Sequence, residues 1–586
     1  MLEQFRTLKF EPKIVSRDII SRAAPFHDSD RYRMRIFLVF CIILFCRVLA
    51  VAQSPDLIVI NANVITIDKQ QPRAEAFAVL HGRFIAIGKS AEIRNLAGPG
   101  TRVVDLKGAT VTPGFIDAHL HPRPIYDADS IYESVPLGPD SAHNIERMIA
   151  ALKRKAGIVP KGAWILGVGY QDTKLGRHPT RHDLDKVSTD HPIYITHSSG
   201  HIGVANSLAL RNAGVTIETK DPSGGAFDRE EGGAPNGILR ESAMRLIGNG
   251  NPPFPVAPFN EQVRGIIRRF TLFAAKGFTS VGIAGGSPDT FRLYQAARDA
   301  GNPVRVYAMF SEQYFKQAND VGLRTGFGDD RLRVGSIKVF HGNSLSGRTC
   351  WLREEYSDRP GYFGIPPARS QQELDKLVTE IHNAGWQLAI HSNGDREIEM
   401  VLAAIERAQT DAPQIQARHR IEHCSVTNQS ILENIKRLGV VPIYHAYMYE
   451  HGDKLAAYGP KRLAMMHPFR TSIDMGIRAA GHSDDPVSPA DAMLRLYDLI
   501  TRRGSDGKQY GPEQRITVDE AIEAFTLGGA YASFEEKSKG SITLGKLADF
   551  VVLGADPLKA DPETIKDIPV LQTWIDGNPV YDRKQP

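Results

Sequence analysis

The sequence predicts an α/β protein: a (β/α)8 barrel of the TIM type, with a small β-sandwich built from both termini and an insertion after the first barrel strand. Two observations predict this fold. In the middle of the chain, eight short apolar runs alternate with stretches of helical periodicity, as strands and helices do in a parallel barrel. Both ends carry strand-like runs separated by turns, and 586 residues suffice for one enzyme-sized domain with appendages.

The overall composition excludes several classes of protein. Hydrophobic residues make up 42% and charged residues 24%, which excludes wholesale disorder and a polytopic membrane protein. The 71 Lys and Arg residues nearly balance 67 Asp and Glu residues, and no basic patch with interleaved aromatic residues occurs, so a nucleic-acid partner is not expected. The four cysteines include no CxxC pair, which excludes a zinc ribbon and a disulfide framework.

The first 52 residues are typical of a targeting segment. Arginines precede an uninterrupted apolar run from Ile36 to Cys46, and an A-x-A-like site ends at Ala52. This pattern predicts a signal peptide cleaved near Ala52 and a secreted or periplasmic protein, with Met34 as an alternative start. A membrane anchor through residues 36–52 is the competing interpretation. The apolar run is shorter than the ~20 residues of a spanning helix, so stable membrane insertion is not expected.

The two ends of the mature chain are predicted to form one domain. Residues 53–112 and 537–586 alternate short apolar runs with turns, which predicts a composite β-sandwich. The runs are Leu57–Ile60, Val64–Ile67, Ala76–Leu80, Phe84–Ile87, Ala548–Leu553 and Val570–Ile575.

Residues 113–536 are predicted to form the barrel. Its eight strand-like runs are Phe115–His119, Ser280–Ile283, Val304–Met309, Val334–Val339, Gln387–His391, His419–His423, Val440–Tyr444 and Arg478–His482. Segments such as Gln371–Ala384, Arg396–Gln409 and Ser430–Leu438 have helical periodicity. The first connection is much longer than the others, which predicts an insertion over residues 122–255, above the barrel mouth.

Polar residues stand at the ends of five of these runs. His119 and His121 are two residues apart in a strand and so share one face. Because the carboxyl ends of barrel strands meet at one rim, the polar residues of the other runs are expected to join them there. Together they predict a divalent-metal centre formed by His119, His121, Lys338, His391, His423 and Asp484. An ammonium group cannot ligate a metal, so a second ion would need Lys338 to be carboxylated.

The chain resembles the amidohydrolase superfamily, specifically amidohydrolase family 3, the YtcJ-like branch that includes N-substituted formamide deformylases. The resemblance runs from Asp56 to about Asp582. It is carried by residues 112–121, 199–201, 205–207, 338–340, 391–395, 418–423, 483–487, 540–542 and 545–549. In one departure, His341 stands where the branch has an acidic residue after strand four.

The resemblance implies a metal-dependent hydrolase, usually with zinc as one or two ions, that acts on a small-molecule amide such as an N-acyl or N-formyl compound. Our hypothesis is that Asp484 passes the proton of the attacking water to the leaving amine. His201 is a candidate for stabilising the oxyanion or binding substrate. Further candidates for substrate contacts are Glu241, His341 and Arg348, with Trp351 and Tyr362 as possible pocket or core residues.

Two alternatives stay open. Within the superfamily, a cyclic-amide hydrolase or a deaminase would use the same residues. Outside catalysis, a regulatory or binding descendant could keep the barrel as a scaffold, because a fold does not fix a function. A homodimer is a common default for such chains.

Overall fold

The computed structural model describes residues 53–138, 141–414 and 416–584. The predicted signal peptide lies outside the described residues. Within these ranges, none of the helices combines the length and apolar character that crossing a bilayer requires.

Short strands open the described chain. They are β1 (Leu57–Ile60), β2 (Asn63–Ile65), β3 (Arg73–Ala74), β4 (Ala76–Leu80), β5 (Arg83–Gly88), β6 (Arg102–Asp105) and β7 (Thr110–Pro113). Four of them form a sheet in the order β5-β4-β1-β6. On β5, Phe84 is buried and its neighbour Ile85 is 41% exposed, as expected for a strand with one face on a core and one toward water.

The first barrel strand, β8 (Phe115–Leu120), is followed by the insertion, which has its own sheet and core. Its strands are β9 (Val135–Pro136), β10 (Ile165–Tyr170), β11 (Ile193–His197), β12 (Ile202–Ala205), β13 (Gly225–Arg229) and β14 (Pro235–Glu241), in the order β13-β14-β12-β11-β10-β9. Helices Ile145–Ala156, Asp172–Leu175, Arg181–Asp185, Ser207–Asn212 and Arg245–Gly248 accompany them. Leu152, Ile165 and Val204 lie in its hydrophobic core, so the insertion is a packed layer.

The remaining barrel strands are β15 (Phe278–Ile283), β16 (Arg305–Ser311), β17 (Leu332–Phe340), β18 (Leu388–Ser392), β19 (Arg420–His423), β20 (Val441–His445) and β21 (Ala480–His482). With β8 they form an eight-stranded parallel sheet in chain order. A backbone hydrogen bond of 3.0 Å from Asp484 N to His119 O joins the region after β21 to β8. The predicted TIM-type barrel is therefore confirmed, with each predicted run on a strand.

Amphipathic helices surround the barrel. The principal ones are Phe259–Ala275, Pro288–Asp299, Phe315–Asp320, Gln371–Asn383, Asp395–Asp411, Gln429–Leu438, Met448–His451, Gly459–Leu463, Phe469–Asp474, Ala492–Thr501, Val518–Ala524 and Leu527–Ala532. Ser370 shows why one begins where it does, because its hydroxyl accepts a hydrogen bond from Glu373 N and Glu373 returns the contact. The buried faces of the longer ones, such as Phe259–Ala275 and Asp395–Asp411, pack on the barrel strands in one large core.

The C-terminal strands β22 (Phe550–Leu553), β23 (Val570–Ile575) and β24 (Asn578–Asp582) complete the second terminal sheet, in the order β24-β23-β22-β7-β2-β3. Val552 lies opposite Val111, so strands from the two ends of the chain pair directly. Phe77 from the first sheet packs against Phe550 from the second. Both termini thus build one sandwich, as the sequence predicts.

Arg305 on β16 ties the barrel to this sandwich. Its guanidinium is buried and donates to both carboxylate oxygens of Asp549, at 2.6 and 2.8 Å. A charge in such a place is tolerated only because it is paired, and removing one partner of a buried pair typically costs about 3–5 kcal/mol. The pair therefore holds the amino end of the barrel and the C-terminal sheet in one fixed arrangement.

Candidate metal centre

Three of the predicted ligands converge at the carboxyl end of the barrel. His119 is fully buried on β8, and His121 lies half-buried one residue after that strand. The backbone bond between Asp484 and β8 places the Asp484 carboxylate beside both rings. His119 Nε2 lies 3.3 Å from His121 Nε2, and each of these nitrogens lies 3.4 Å from Asp484 Oδ1.

These separations fit a metal ion. Zinc binds nitrogen and oxygen at roughly 2.0–2.1 Å, so two ligands of a tetrahedral ion stand about 3.3–3.4 Å apart. The Glu422 carboxylate faces His119 Nδ1, so that nitrogen carries the ring proton and Nε2 presents a lone pair. A lone pair facing a carboxylate oxygen with no proton between them is repulsive unless a cation lies there. The donor set therefore fits a divalent ion.

Glu422 is the group that orients His119. It is fully buried on β19 and accepts hydrogen bonds from the Arg420 guanidinium at 2.7 and 2.8 Å. Burial raises the pKa of Glu422, but the charges of Arg420 and the contact with His119 outweigh it and lower the pKa to about 2. Glu422 is thus ionised whenever the protein is folded near neutral pH. Glu422 lies in the segment 418–423 that carries the family resemblance, but it is not among the predicted site residues.

Lys338, His391 and His423 lie at the same rim. Lys338 is fully buried on β17 with Nζ 3.4 Å from His119 Nε2, and burial lowers its pKa to about 8. His423 Nδ1 lies 3.9 Å from Asp484 Oδ2. The ring of His391 meets that of His423 edge to face, with centroids 4.6 Å apart, but its Nε2 faces the carbonyl oxygen of Asn343 at 3.1 Å.

A second group of imidazoles lies beside the first. It consists of His423, His445 and His482, which are all buried and whose ligand nitrogens lie within 4.8 Å of one another. Burial holds the pKa of each well below the ordinary histidine value. Neither His445 nor His482 is among the site residues predicted from the sequence. The signal was present, because His482 ends the eighth predicted run and His445 directly follows the seventh.

The insertion covers the rim and leaves a cavity of about 270 Å³ above it. The loop from β11 to β12 contributes Ser199 and His201 to its lining, opposite His391 and Asp484. His201 Nδ1 lies 2.6 Å from a carboxylate oxygen of Glu241. Burial lowers the pKa of His201, but the Glu241 charge outweighs it, and the net shift is upward. A cavity of about 570 Å³ lies elsewhere, beside residues 476–479 that precede β21, and no predicted ligand lines it.

The other candidates for substrate contacts lie outside this cavity's lining. His341 is buried, and burial together with Arg369 lowers its pKa to about 4. Arg348 forms an ion pair of 3.1 Å with an exposed aspartate and, with Tyr362, lines a separate cavity of about 400 Å³. Trp351 packs under the guanidinium of Arg396 at 3.8 Å. Glu241 does not line the cavity, and its link to the metal centre is its contact with His201.

Comparisons with known proteins decide the family. The model described as "Amidohydrolase family" matches residues 102–581. The chain belongs to the amidohydrolase family. This amidohydrolase is 28% identical over 551 residues to the N-substituted formamide deformylase of Arthrobacter pascens, covering 91% of this chain and 99% of that one. It is also 28% identical over 532 residues to YtcJ of Bacillus subtilis, covering 89% and 98% of the two chains.

A solved structure supports the same assignment. An uncharacterized metal-dependent hydrolase from Pyrococcus horikoshii superposes on this amidohydrolase with a TM-score of 0.68 and 26% identity, covering 86% of this chain and 99% of the other. The predicted family and fold are confirmed. The protein is therefore a hydrolase of the metal-dependent amidohydrolase superfamily, which acts on carbon–nitrogen bonds, and its described residues include histidine groups able to hold a metal.

The contact between Glu422 and His119 generates a first prediction. Glu422→Gln keeps the shape of the side chain but removes the charge that fixes the His119 tautomer. Loss of such an outer partner typically weakens metal affinity by about 10–100-fold. Titration with zinc against a chelating indicator measures the change, and circular dichroism checks the fold.

The matched control is Glu433→Gln, at an exposed position on helix Gln429–Leu438. We expect its zinc affinity to equal that of the unmodified protein. An equal affinity in the Glu422→Gln variant would show that Glu422 does not orient the ligand.

Proposed function

We propose that this amidohydrolase cleaves the carbon–nitrogen bond of a small non-peptide amide, of the N-acyl or N-formyl class, with zinc held by His119, His121 and Asp484. The observation that carries the proposal is the 3.3–3.4 Å spacing of the three ligand atoms, which lie beside a cavity of about 270 Å³. A cavity of this size suits a small ligand. The name of the relative from Arthrobacter pascens, which specifies N-substituted formamides, supports the bond class.

Zinc held by these residues would polarise the scissile carbonyl and lower the pKa of water to roughly 7. Hydrolysis then requires a side chain of the protein to move one proton from the attacking water to the leaving nitrogen. We assign this transfer to Asp484, because its Oδ1 faces His119 and His121 and its Oδ2 lies on the side of His423. Burial raises the pKa of Asp484, but His423 and His119 outweigh it and hold the pKa well below its usual range, so the carboxylate is ionised at neutral pH.

We assign stabilisation of the oxyanion to His201. His201 lines the cavity, and its Nδ1 lies 2.6 Å from a carboxylate oxygen of Glu241. Nε2 is therefore the ring nitrogen that can contact the substrate. Because Glu241 raises the pKa of His201, the ring holds its second proton to a higher pH than an unpaired buried histidine would. A protonated Nε2 is a hydrogen-bond donor for negative charge that develops on the carbonyl oxygen.

The role of Asp484 predicts the behaviour of Asp484→Asn. Removing a general acid–base group typically lowers turnover by about 10²–10⁴-fold. We expect such a fall in kcat at saturating zinc, with metal content confirmed by mass spectrometry. Asp289→Asn, an exposed position at the start of a barrel helix, is the control and should keep full activity. Near-full turnover of a metal-loaded Asp484→Asn protein would show that Asp484 is a metal ligand and does not transfer the proton.

The role of His201 predicts a loss in kcat on His201→Ala. Removing one oxyanion donor typically costs about 10²–10³-fold in kcat. Steady-state kinetics should show this fall with unchanged zinc content. The control is His182→Ala, at an exposed position of the insertion, which should leave kcat and KM unchanged. A rise in KM alone would assign His201 to substrate binding instead.

The proposed function itself is tested with the zinc-loaded protein and a panel of N-formyl, N-acyl and cyclic amides. We expect release of an amine from acyclic substrates, abolished by a chelator and restored by zinc. Ring opening would favour the cyclic-amide alternative, and release of ammonia from an amino-substituted ring would favour the deaminase. A folded, soluble protein that binds no metal would support the non-catalytic descendant.

A further inference from the structure

The insertion holds a triad of hydrogen-bonded side chains that ends at the wall of the cavity. Asp172 begins the short helix after β10, His197 ends β11, and Ser199 lies two residues further on. His197 Nε2 is 3.1 Å from Asp172 Oδ1, and His197 Nδ1 is 2.9 Å from Ser199 Oγ. Because Ser199 lines the cavity of about 270 Å³, the triad connects the interior of the insertion to the space above the metal centre.

The contacts of His197 determine which ring nitrogen carries the proton. Burial lowers the pKa of His197 to about 3, so the ring is neutral and has one proton near neutral pH. Burial raises the pKa of Asp172, but the hydrogen bond with His197 and nearby positive charge outweigh it and hold the pKa well below its usual range. The ionised Asp172 carboxylate therefore faces Nε2–H. On the other side of the ring, Nδ1 accepts a hydrogen bond from the backbone N–H of Ser199 at 3.1 Å, so Nδ1 is unprotonated.

Lys454, which follows β20, contacts the triad from the barrel side. It is buried, with Nζ 3.3 Å from His197 Nε2 and 3.9 Å from Asp172 Oδ1. A hydrogen bond from the ammonium to Nε2 would require the ring proton to be on Nδ1, which the backbone N–H of Ser199 excludes. Lys454 instead pairs with the Asp172 carboxylate and points at Ser198 Oγ, at 3.5 Å. Its charge thus keeps Asp172 ionised and the ring proton on Nε2.

The unprotonated Nδ1 fixes the polarity of the Ser199 hydroxyl. Two lone pairs 2.9 Å apart repel each other, so the hydroxyl proton must lie between Ser199 Oγ and Nδ1. With its only proton directed at His197, the hydroxyl offers lone pairs alone to other groups. One lone pair accepts the backbone N–H of His201 at 3.1 Å. For the second, the part of the chain that the structure describes supplies no donor.

We propose that Ser199 accepts a hydrogen bond from the N–H group of the substrate amide, so that the site selects secondary amides over compounds that lack an N–H. Ser199 lines the same cavity as His423 and Asp484, and the neighbouring His201 ring has its centroid 5.2 Å from that of His391. The loop thus lies directly opposite the predicted ligands. This inference rests on the proposed function and deepens it, because it names the class of amide.

The discrimination follows from the fixed polarity of the hydroxyl. An ester presents a lone pair where a secondary amide presents N–H, and that lone pair would face the lone pair of Ser199. A serine with a freely rotating hydroxyl would donate to the ester oxygen and would accept both compounds. Here such a rotation breaks the buried hydrogen bond to His197, which is costly. A site built to bond one polar group of a substrate rejects the analogue that lacks it.

The test compares N-butylformamide with butyl formate, which has nearly the same size but an oxygen in place of N–H. The measured quantity is the ratio of their kcat/KM values with the zinc-loaded full chain, after correction for spontaneous ester hydrolysis. Intrinsic reactivity cancels when this amide-to-ester ratio is compared between variants. We expect Ser199→Ala to lower the ratio by about 3–10-fold, the effect of one neutral hydrogen bond. Ser223→Ala, at an exposed serine of the insertion, is the control and should leave the ratio unchanged.

A pair of substitutions at His197 tests whether this residue positions the hydroxyl. His197→Leu removes the acceptor of the hydroxyl proton, so the amide-to-ester ratio should fall as it does in Ser199→Ala. His197→Asn offers an amide oxygen in place of Nδ1 and should keep the larger part of the ratio. A merely structural role would lower kcat/KM for both compounds alike and leave the ratio unchanged, which would overturn the positioning role. Circular dichroism checks the fold, and if the leucine variant does not fold, Ser199→Ala decides.

An unchanged amide-to-ester ratio in Ser199→Ala would overturn the proposal. Failure of the proposed function gives a different result, because the zinc-loaded protein would then cleave neither compound. In that case calorimetric titration with the same two compounds decides the role of Ser199. Tighter binding of the amide that is lost in Ser199→Ala supports the acceptor, whereas equal binding of the two compounds, or no binding of either, overturns it.

Discussion

The parallel barrel forces the carboxyl ends of its strands into one narrow ring, and the side chains that follow those strands must share the space. In this chain the ring holds histidines, a lysine and carboxylates, and all of them except the half-buried His121 are buried almost completely. Such groups repel or remain unbonded unless something positively charged lies between them. The contacts around the ring supply such charges and partners. Arg420 neutralises Glu422, Glu422 fixes the orientation of the His119 ring, and Glu241 fixes that of the His201 ring.

The insertion forms the wall opposite this ring of strand ends. Its sheet has a packed hydrophobic core, and the loop that carries Ser199 and His201 connects two strands of that sheet above the predicted metal ligands. The barrel thus supplies the ligands and the insertion supplies the opposite wall. Variation in the insertion can change which substrate fits without disturbing the histidines of the strands.

The sequence was sufficient for the elements that have a strong period. The eight barrel runs and the helices Gln371–Asn383 and Gln429–Leu438 were predictable because apolar spacing alone distinguishes them. The rim position of His119, His121 and Asp484 followed from the same register. Apolar spacing does not determine how a ring is rotated or which group it contacts. The contact of His391 with the Asn343 carbonyl and the ion pair of Arg348 with an exposed aspartate are therefore visible only in the structure. His445 was missed for another reason, because it lies one residue beyond the end of a predicted run.

The pairing of β7 with β22 also bears on how the chain is made. β7 emerges early in synthesis, but its partner strand is translated only after the whole barrel and the insertion. Until then β7 is an open sheet edge, and such edges pair readily with other chains. Closure of the sandwich therefore requires translation to have passed β22, and a chain that stops within the barrel leaves this edge of β7 unpaired.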